Sequence, residues 1–414
     1  MGSLTSPRRA AAVATATVVL LGACGAGATD VVEPVVVLGA TDDLSTSQSF
    51  TWRTADTPGP APELVVVGPV GPGATTRRIA AERKPATTVE QTGSDAPAYT
   101  ATVTSLEPGT RYEYRIESSG ESTPTHTFTT ADDETGSWSF LALGDTQRDI
   151  DGVGADVVTE AVRAHPEAEL VLHAGDLIDV PHRQDEWLAA MTALEPVRTT
   201  RPVVVARGNH ERCVLVRDCR DPEGRAFAAW FTSPGADPEE RARPWYRFDR
   251  QGVRFVVLDS FGDDLAAQAT FLEESLAGND QRWSVVLLHA GPFASRDKRT
   301  NTAVFTQWLP ILERHDVDLV LGGHDHVYSR GFARDPDGPT YVTSNSGPKE
   351  YVLDDADWRR RGGTRVASAE RLSTYQVVDV SEDRLRYRAF VAHRGRNPEP
   401  DLPVGAVLDE VVID

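Results

Sequence analysis

The sequence predicts an all-β sandwich followed by an α/β layered domain, and three observations carry that expectation. Across residues 35–130, short β-type runs alternate with Pro- and Gly-bearing turns, the rhythm of an antiparallel sandwich. Beyond residue 138, strongly apolar runs alternate instead with segments of helical period, as expected of strands covered by helices. Several of those apolar runs end in tight turns followed at once by Asp, Asn or His.

At 414 residues the chain is long enough for two folded units. In the first, the clearest β runs are 35–38, 49–52, 64–67, 99–103 and 112–116. The acidic stretch 131–137 reads as a linker. In the second, apolar runs at 140–143, 170–172, 203–205, 255–258, 285–288 and 319–321 alternate with helical patterns at 155–165, 184–197, 265–276 and 304–315. The alternating segment 374–391 reads as strands that complete a sheet of the same domain.

The N-terminus reads as a targeting segment. Arg8 and Arg9 precede an apolar stretch, 10–21, and then Leu21-Gly22-Ala23-Cys24. The stretch is shorter than the roughly 20 residues a membrane span needs. The last four residues resemble a bacterial lipobox, which makes 1–23 a signal peptide, Cys24 the lipidation site and 24–34 a tether. The alternative is an ordinary secretory signal cut near Ala23. Export and a lipid anchor on the outer face of the cytoplasmic membrane are the expectation. The other two cysteines, Cys213 and Cys219, are six residues apart and are candidates for a small disulfide loop in an oxidising compartment. A net charge of −20 disfavours binding to nucleic acid polymers or anionic membranes. An anionic substrate stays open, since bound cations reverse the sign locally.

Chemistry concentrates at the strand ends. The turns read Gly144-Asp145, Gly175-Asp176, Arg207-Gly208-Asn209-His210-Glu211, Leu288-His289 and Gly323-His324-Asp325-His326. Ligands at the carboxyl ends of strands converge on one edge of an α/β sheet. Each turn alone is commonplace, because Gly-Asp after a strand is ordinary turn chemistry. Five in this order are not.

The order Asp, Asp, Asn-His, His, His-x-His resembles the calcineurin-like metallophosphoesterase superfamily. The β-rich unit in front, together with the residues 323–328, places the resemblance closest to the purple acid phosphatase branch. The residues 106–112 resemble the approach to the tyrosine corner of a fibronectin type III domain. The implied architecture is a metallophosphoesterase sandwich over 138–414 behind a fibronectin type III-like domain over 35–130. The resemblance implies two metal ions, with Asp145 and His326 on the first, Asn209, His289 and His324 on the second, and Asp176 on both. Imidazole with carboxylate suits Fe, Zn or Mn better than Ca or Mg. His210 would contact the phosphate and act as general acid. The implied activity is hydrolysis of small phosphomonoesters by a metal-activated water. Phosphodiester hydrolysis and a non-catalytic adhesive role are the alternatives.

Two positions depart from the purple branch. Asp179 stands where that branch has the tyrosine that colours ferric iron, so no purple band is expected. Gln147 stands where many superfamily members place a histidine. Each is a candidate first-metal ligand or a partner to the ligands. Arg207, His182, Arg330 and Lys349 are candidate phosphate contacts.

Overall fold

A computed structural model describes residues 34–54, 63–84, 97–118, 121–214, 219, 221, 224–235 and 243–414. The expected signal peptide, Cys24 and almost all of the tether lie outside them. No helix among the described residues is long and apolar enough to cross a membrane.

The first unit is the expected sandwich. One sheet is ordered β1 (Val35–Gly39), β2 (Gln48–Arg53), β6 (Ala98–Val103), β5 (Glu82–Arg83). The other is ordered β4 (Arg77–Ala80), β3 (Leu64–Pro69), β7 (Arg111–Ser118), β8 (Glu121–Ser122), with β9 (His126–Thr129) also on β7. In β7, Tyr112, Tyr114 and Ile116 face inward while Arg111, Glu113 and Arg115 face outward, so its period of two sets the core. Phe50, Trp52, Val65 and Val67 meet them. The Tyr112 hydroxyl accepts the Glu107 backbone N–H at 2.8 Å, which makes the tyrosine corner expected there.

The second unit begins at β10 (Trp138–Leu143). One half-sheet runs β12 (Val203–Val205), β11 (Leu170–His173), β10, then the long β19 (Thr364–Val380), with β20 (Leu385–Glu399) and β21 (Val407–Ile413) beyond it. The other runs β13 (Tyr246–Arg250), β14 (Val253–Val257), β15 (Trp283–Leu287), β16 (Leu319–Gly322), β18 (Thr340–Thr343), β17 (Tyr328–Phe332), and back to β19. At 17 residues, β19 is long enough to belong to both halves. Trp138, Phe140 and Ala142 of β10 point into the core shared with Phe255, Leu287 and Tyr387. Leu141 and Leu143, on its other face, pack with Val157, Val158 and Ala161 of the helix Ala155–Ala164. The helices Leu265–Ala277 and Leu309–Arg314 cover Val256, Val286 and Val320 on the opposite outer face. Burial on both faces is why these strands read as continuous apolar runs.

The helix expected at 304–315 is two short helices, Thr302–Gln307 and Leu309–Arg314, broken before Pro310, whose ring excludes the helical hydrogen bond. The linker expected at 131–137 is in part docked. Ala131 is buried, and its N–H bonds to the Leu44 carbonyl at 3.0 Å. The sandwich and the layered unit form one compact body from Glu33 onward. The Tyr114 hydroxyl donates to the Thr199 carbonyl at 2.9 Å, Arg198 donates to the Val36 carbonyl at 2.6 Å, and the Thr51 and Thr232 hydroxyls lie 2.9 Å apart.

Candidate metal centre

Parallel pairing of β10 with β11 and β12, and of β14 with β15, β16 and β18, puts the carboxyl ends of both half-sheets at one edge. The candidate ligands follow those ends. Asp145 follows β10, Asp176 follows β11, Asn209 follows β12, His289 follows β15, and His324 and His326 follow β16. The turns bond to one another directly. The Asp145 N–H reaches the Gly175 carbonyl at 2.9 Å, and the Gly323 N–H reaches the His289 carbonyl at 2.8 Å.

All six candidates are buried, and five of them form two overlapping groups. Asp176, His289 and His324 offer ligand atoms within 4.8 Å of one another, and so do Asp145, Asp176 and His326. Asp176 belongs to both. Its Oδ2 lies 3.2 Å from His289 Nε2, and Asn209 Oδ1 lies 3.3 Å from the same nitrogen. His289 Nδ1–H donates to the Ala174 carbonyl at 2.6 Å, which leaves Nε2 as the free lone pair facing the carboxylate. The Asn209 amide donates to the Val214 carbonyl at 3.2 Å, turning its oxygen toward the site.

Four of the six candidate ligands hold left-handed backbone: Asp145 at φ 58°, Asp176 at 55°, His324 at 75° and His326 at 50°. Non-glycine residues seldom adopt it, and where they do a surrounding structure must enforce it. Two glycines create the room. A Cβ on Gly208 would lie 2.2 Å from Asp176 Oδ1, and one on Gly323 would lie 2.3 Å from Asp145 Oδ2.

The donor set fits two transition-metal ions. Asp145 Oδ1 and His326 Nδ1 are buried with no hydrogen-bond partner, a costly arrangement unless a cation compensates it. Electrostatics agree. Burial raises the Asp145 carboxyl above its usual range, and Asp176 adds to the rise. Burial also works against a charged His289, but Asp176 outweighs it and holds the imidazole up to about 9. Protons and metal ions therefore compete for these atoms.

His210 stands at the rim. Its Nδ1–H donates to the Asp179 carbonyl at 2.6 Å, and Nε2 lies 3.8 Å from Asp176 Oδ2. Asp179 thus sides with His210, not with the first ligand group. Its carboxylate lies 3.3 Å from His210 Nδ1 and 3.0 Å from Arg148. Gln147 donates to Asp176 Oδ2 at 3.1 Å, and its Oε1 is buried without a partner. The pairing of Cys213 with Cys219 is present, with Cα atoms 5.5 Å apart.

Two of the candidate phosphate contacts are spent elsewhere. Arg207 pairs with buried Asp259 at 3.0 Å, and Arg330 forms a two-point bond to Asp409 at 2.6 and 2.8 Å. His182 keeps a buried, unpartnered Nδ1, whereas Lys349 acts on Asp145 and His326 through its charge.

Glu211 went unassigned in the sequence, although it directly follows the Asn-His pair. Its buried carboxylate accepts the N–H groups of Asp176 at 2.9 Å, Leu177 at 2.8 Å and Gly208 at 2.8 Å, locking the second and third ligand turns together.

Residues 139–328 match the calcineurin-like phosphoesterase family, and residues 34–130 match the purple acid phosphatase N-terminal domain. Purple acid phosphatase 22 of Arabidopsis thaliana is 28% identical over 262 residues, 58% of this chain and 56% of that protein. Purple acid phosphatase 23 of the same plant is 27% identical over 184 residues, 41% of this chain and 40% of that protein. The chain thus spans about half the length of these relatives. The structure of purple acid phosphatase PPD1 from yellow lupin (Lupinus luteus) seeds superposes with a TM-score of 0.73 at 16% identity, covering 91% of this chain and 73% of that one. Residues 139–328 of the layered unit form a calcineurin-like phosphoesterase domain. A purple acid phosphatase N-terminal domain stands in front of it, and the chain shares the fold of the lupin phosphatase.

Proposed function

We propose that this chain is a binuclear metal-dependent phosphoesterase acting on small phosphomonoesters. The observation that carries the proposal is Asp176, a buried carboxylate shared by two His/Asp groups. Asp145 and His326 would hold one ion, Asn209, His289 and His324 the other, and Asp176 both. Fe, Zn or Mn suits this donor set. Such a pair supplies charge stabilisation to the transferring phosphoryl group and a nucleophile at mild pH.

The chain's own residues supply position and a proton. His210 is pinned through Nδ1 by the Asp179 carbonyl, so Nε2 is the atom that can hand a proton to the leaving oxygen. The Asp179 carboxylate lies 3.3 Å from the same Nδ1, holding the ring from the side away from Nε2. The His210 backbone N–H donates to Asp176 Oδ1 at 3.0 Å, fixing the general acid to the shared ligand.

The test is turnover of p-nitrophenyl phosphate by metal-loaded protein, with bis-p-nitrophenyl phosphate as the diester control. His210→Ala is expected to lower kcat by about 10²- to 10⁴-fold while metal content is retained. Asn209→Ala is expected to lose bound metal as well. Full activity in both variants would remove the assignment. The targeting segment further supports export with a lipid anchor at Cys24. Metabolic labelling with palmitate should mark the full chain and not Cys24→Ser, and an unlabelled wild-type chain would refute the anchor.

A further inference from the structure

A cavity of about 610 Å³ opens beside the ligand cluster, lined by Arg296, Lys298, Arg299, Thr300, Tyr351 and Val352, with Asp297 its acidic member. It shares a wall with the metal centre. The Tyr351 ring stands edge-on to His326 with centroids 5.1 Å apart, and Arg299 donates to the His324 carbonyl at 2.6 Å. The Arg296 guanidinium lies over the Tyr351 ring at 3.3 Å, and Lys349 Nζ is 5.7 Å from the same ring.

The charge of this mouth opposes that of the chain. Against a net charge of −20, Arg296, Lys298 and Arg299 line the cavity, and Lys349 stands near the ring that walls it. Asp297 lies 3.4 Å from Lys298, and Arg299 is engaged by Asp325 at 3.3 Å. Arg296 and Lys349 have no carboxylate within ion-pair distance among the described residues, and the Arg296 guanidinium stacks on the Tyr351 ring. Stacking on an aromatic face leaves the edge of a guanidinium open for two-point bonding to an oxyanion. A cationic mouth on an anionic protein also concentrates anions locally.

We propose that this cavity is a leaving-group subsite that takes a second phosphate, making small polyphosphorylated esters the preferred substrate class. The inference rests on the phosphoesterase reading above. One phosphate would sit at the metal centre, and Arg296 and Lys349 would hold the other across the Tyr351 wall.

The experiment compares kcat/KM for a hexose bisphosphate and the corresponding hexose monophosphate, in wild type, Arg296→Ala and Lys349→Ala. Wild type is expected to prefer the bisphosphate by about tenfold or more, since charge-assisted bonds carry the difference. Each variant is expected to lose most of that preference, and rising ionic strength should erode it. Equal use of both esters by wild type, or an unchanged ratio in both variants, would overturn the subsite. Calorimetric binding of inorganic tripolyphosphate separates the two readings. Binding that depends on Arg296 without any ester turnover keeps the subsite and rejects the phosphoesterase. Turnover together with Arg296-independent binding does the reverse.

Discussion

Asp176 belongs to both groups of candidate ligands at once, and its own position depends on a residue outside those groups. Glu211 gathers backbone N–H groups from both the Asp176 turn and the Gly208 turn. Replacing it by Gln removes a charge from those bonds and brings an amide N–H against a donor. Glu211→Gln should therefore cost about 2–3 kcal/mol and reduce metal retention, read by thermal denaturation and by metal analysis of the purified protein. An unchanged Tm with full metal content would show that Glu211 only fills space. The same scale explains the two departures from the purple branch. Asp179 is drawn to His210 and Arg148, and Gln147 to Asp176, so each supports a neighbour. Neither role could be read from motif spacing, because each depends on which side chain arrives from another turn.

Among the elements, β7 and β19 organise the two units. The corner at the start of β7 closes one end of the sandwich through the Tyr112–Glu107 bond. Tyr112→Phe keeps the ring and removes that acceptor, so a loss of about 1 kcal/mol is expected, seen as a lower urea midpoint at unchanged m-value. No shift would mean that water replaces the hydroxyl at no cost. This corner was legible in advance, since Leu106 to Tyr112 is one continuous local motif. The role of β19 was not. The segment 374–391 reads as strands, but only three-dimensional pairing shows that Thr364–Val380 ties the two half-sheets into one layer system. Its network partner is equally non-local. Arg330 and Tyr328 on β17 both bond Asp409 on β21, although the sequence offered Arg330 as a phosphate contact.

For the molecule as a whole, the proposed ligand role of His289 would link metal binding to stability. Its ordinary value of 6.5 is raised to about 9 in the folded protein. A raised group stabilises the fold fully below its unfolded value, and that contribution is lost as pH climbs through the folded one. The metal-free protein should therefore lose Tm between pH 6.5 and 9. An ion at Nε2 replaces the proton, so metal-loaded protein should not show this loss. The stabilisation conferred by metal, taken as the difference in Tm with and without a chelator, should grow across the same window. A difference that shrinks with pH would contradict the assignment of His289 as a ligand.

The sequence by itself determined the two-unit architecture and the identity of the candidate ligands. Strand period, turn glycines and ligand order are local properties, written within a few residues of each other. Tertiary structure alone decided that Asp176 is shared, that Glu211 clamps two turns, that Arg207 and Arg330 are spent on carboxylates, and that a cationic cavity adjoins His326. Those facts depend on residues far apart in the chain meeting at one sheet edge. What a side chain does there is set by which partner reaches it first, and only the packed fold determines that.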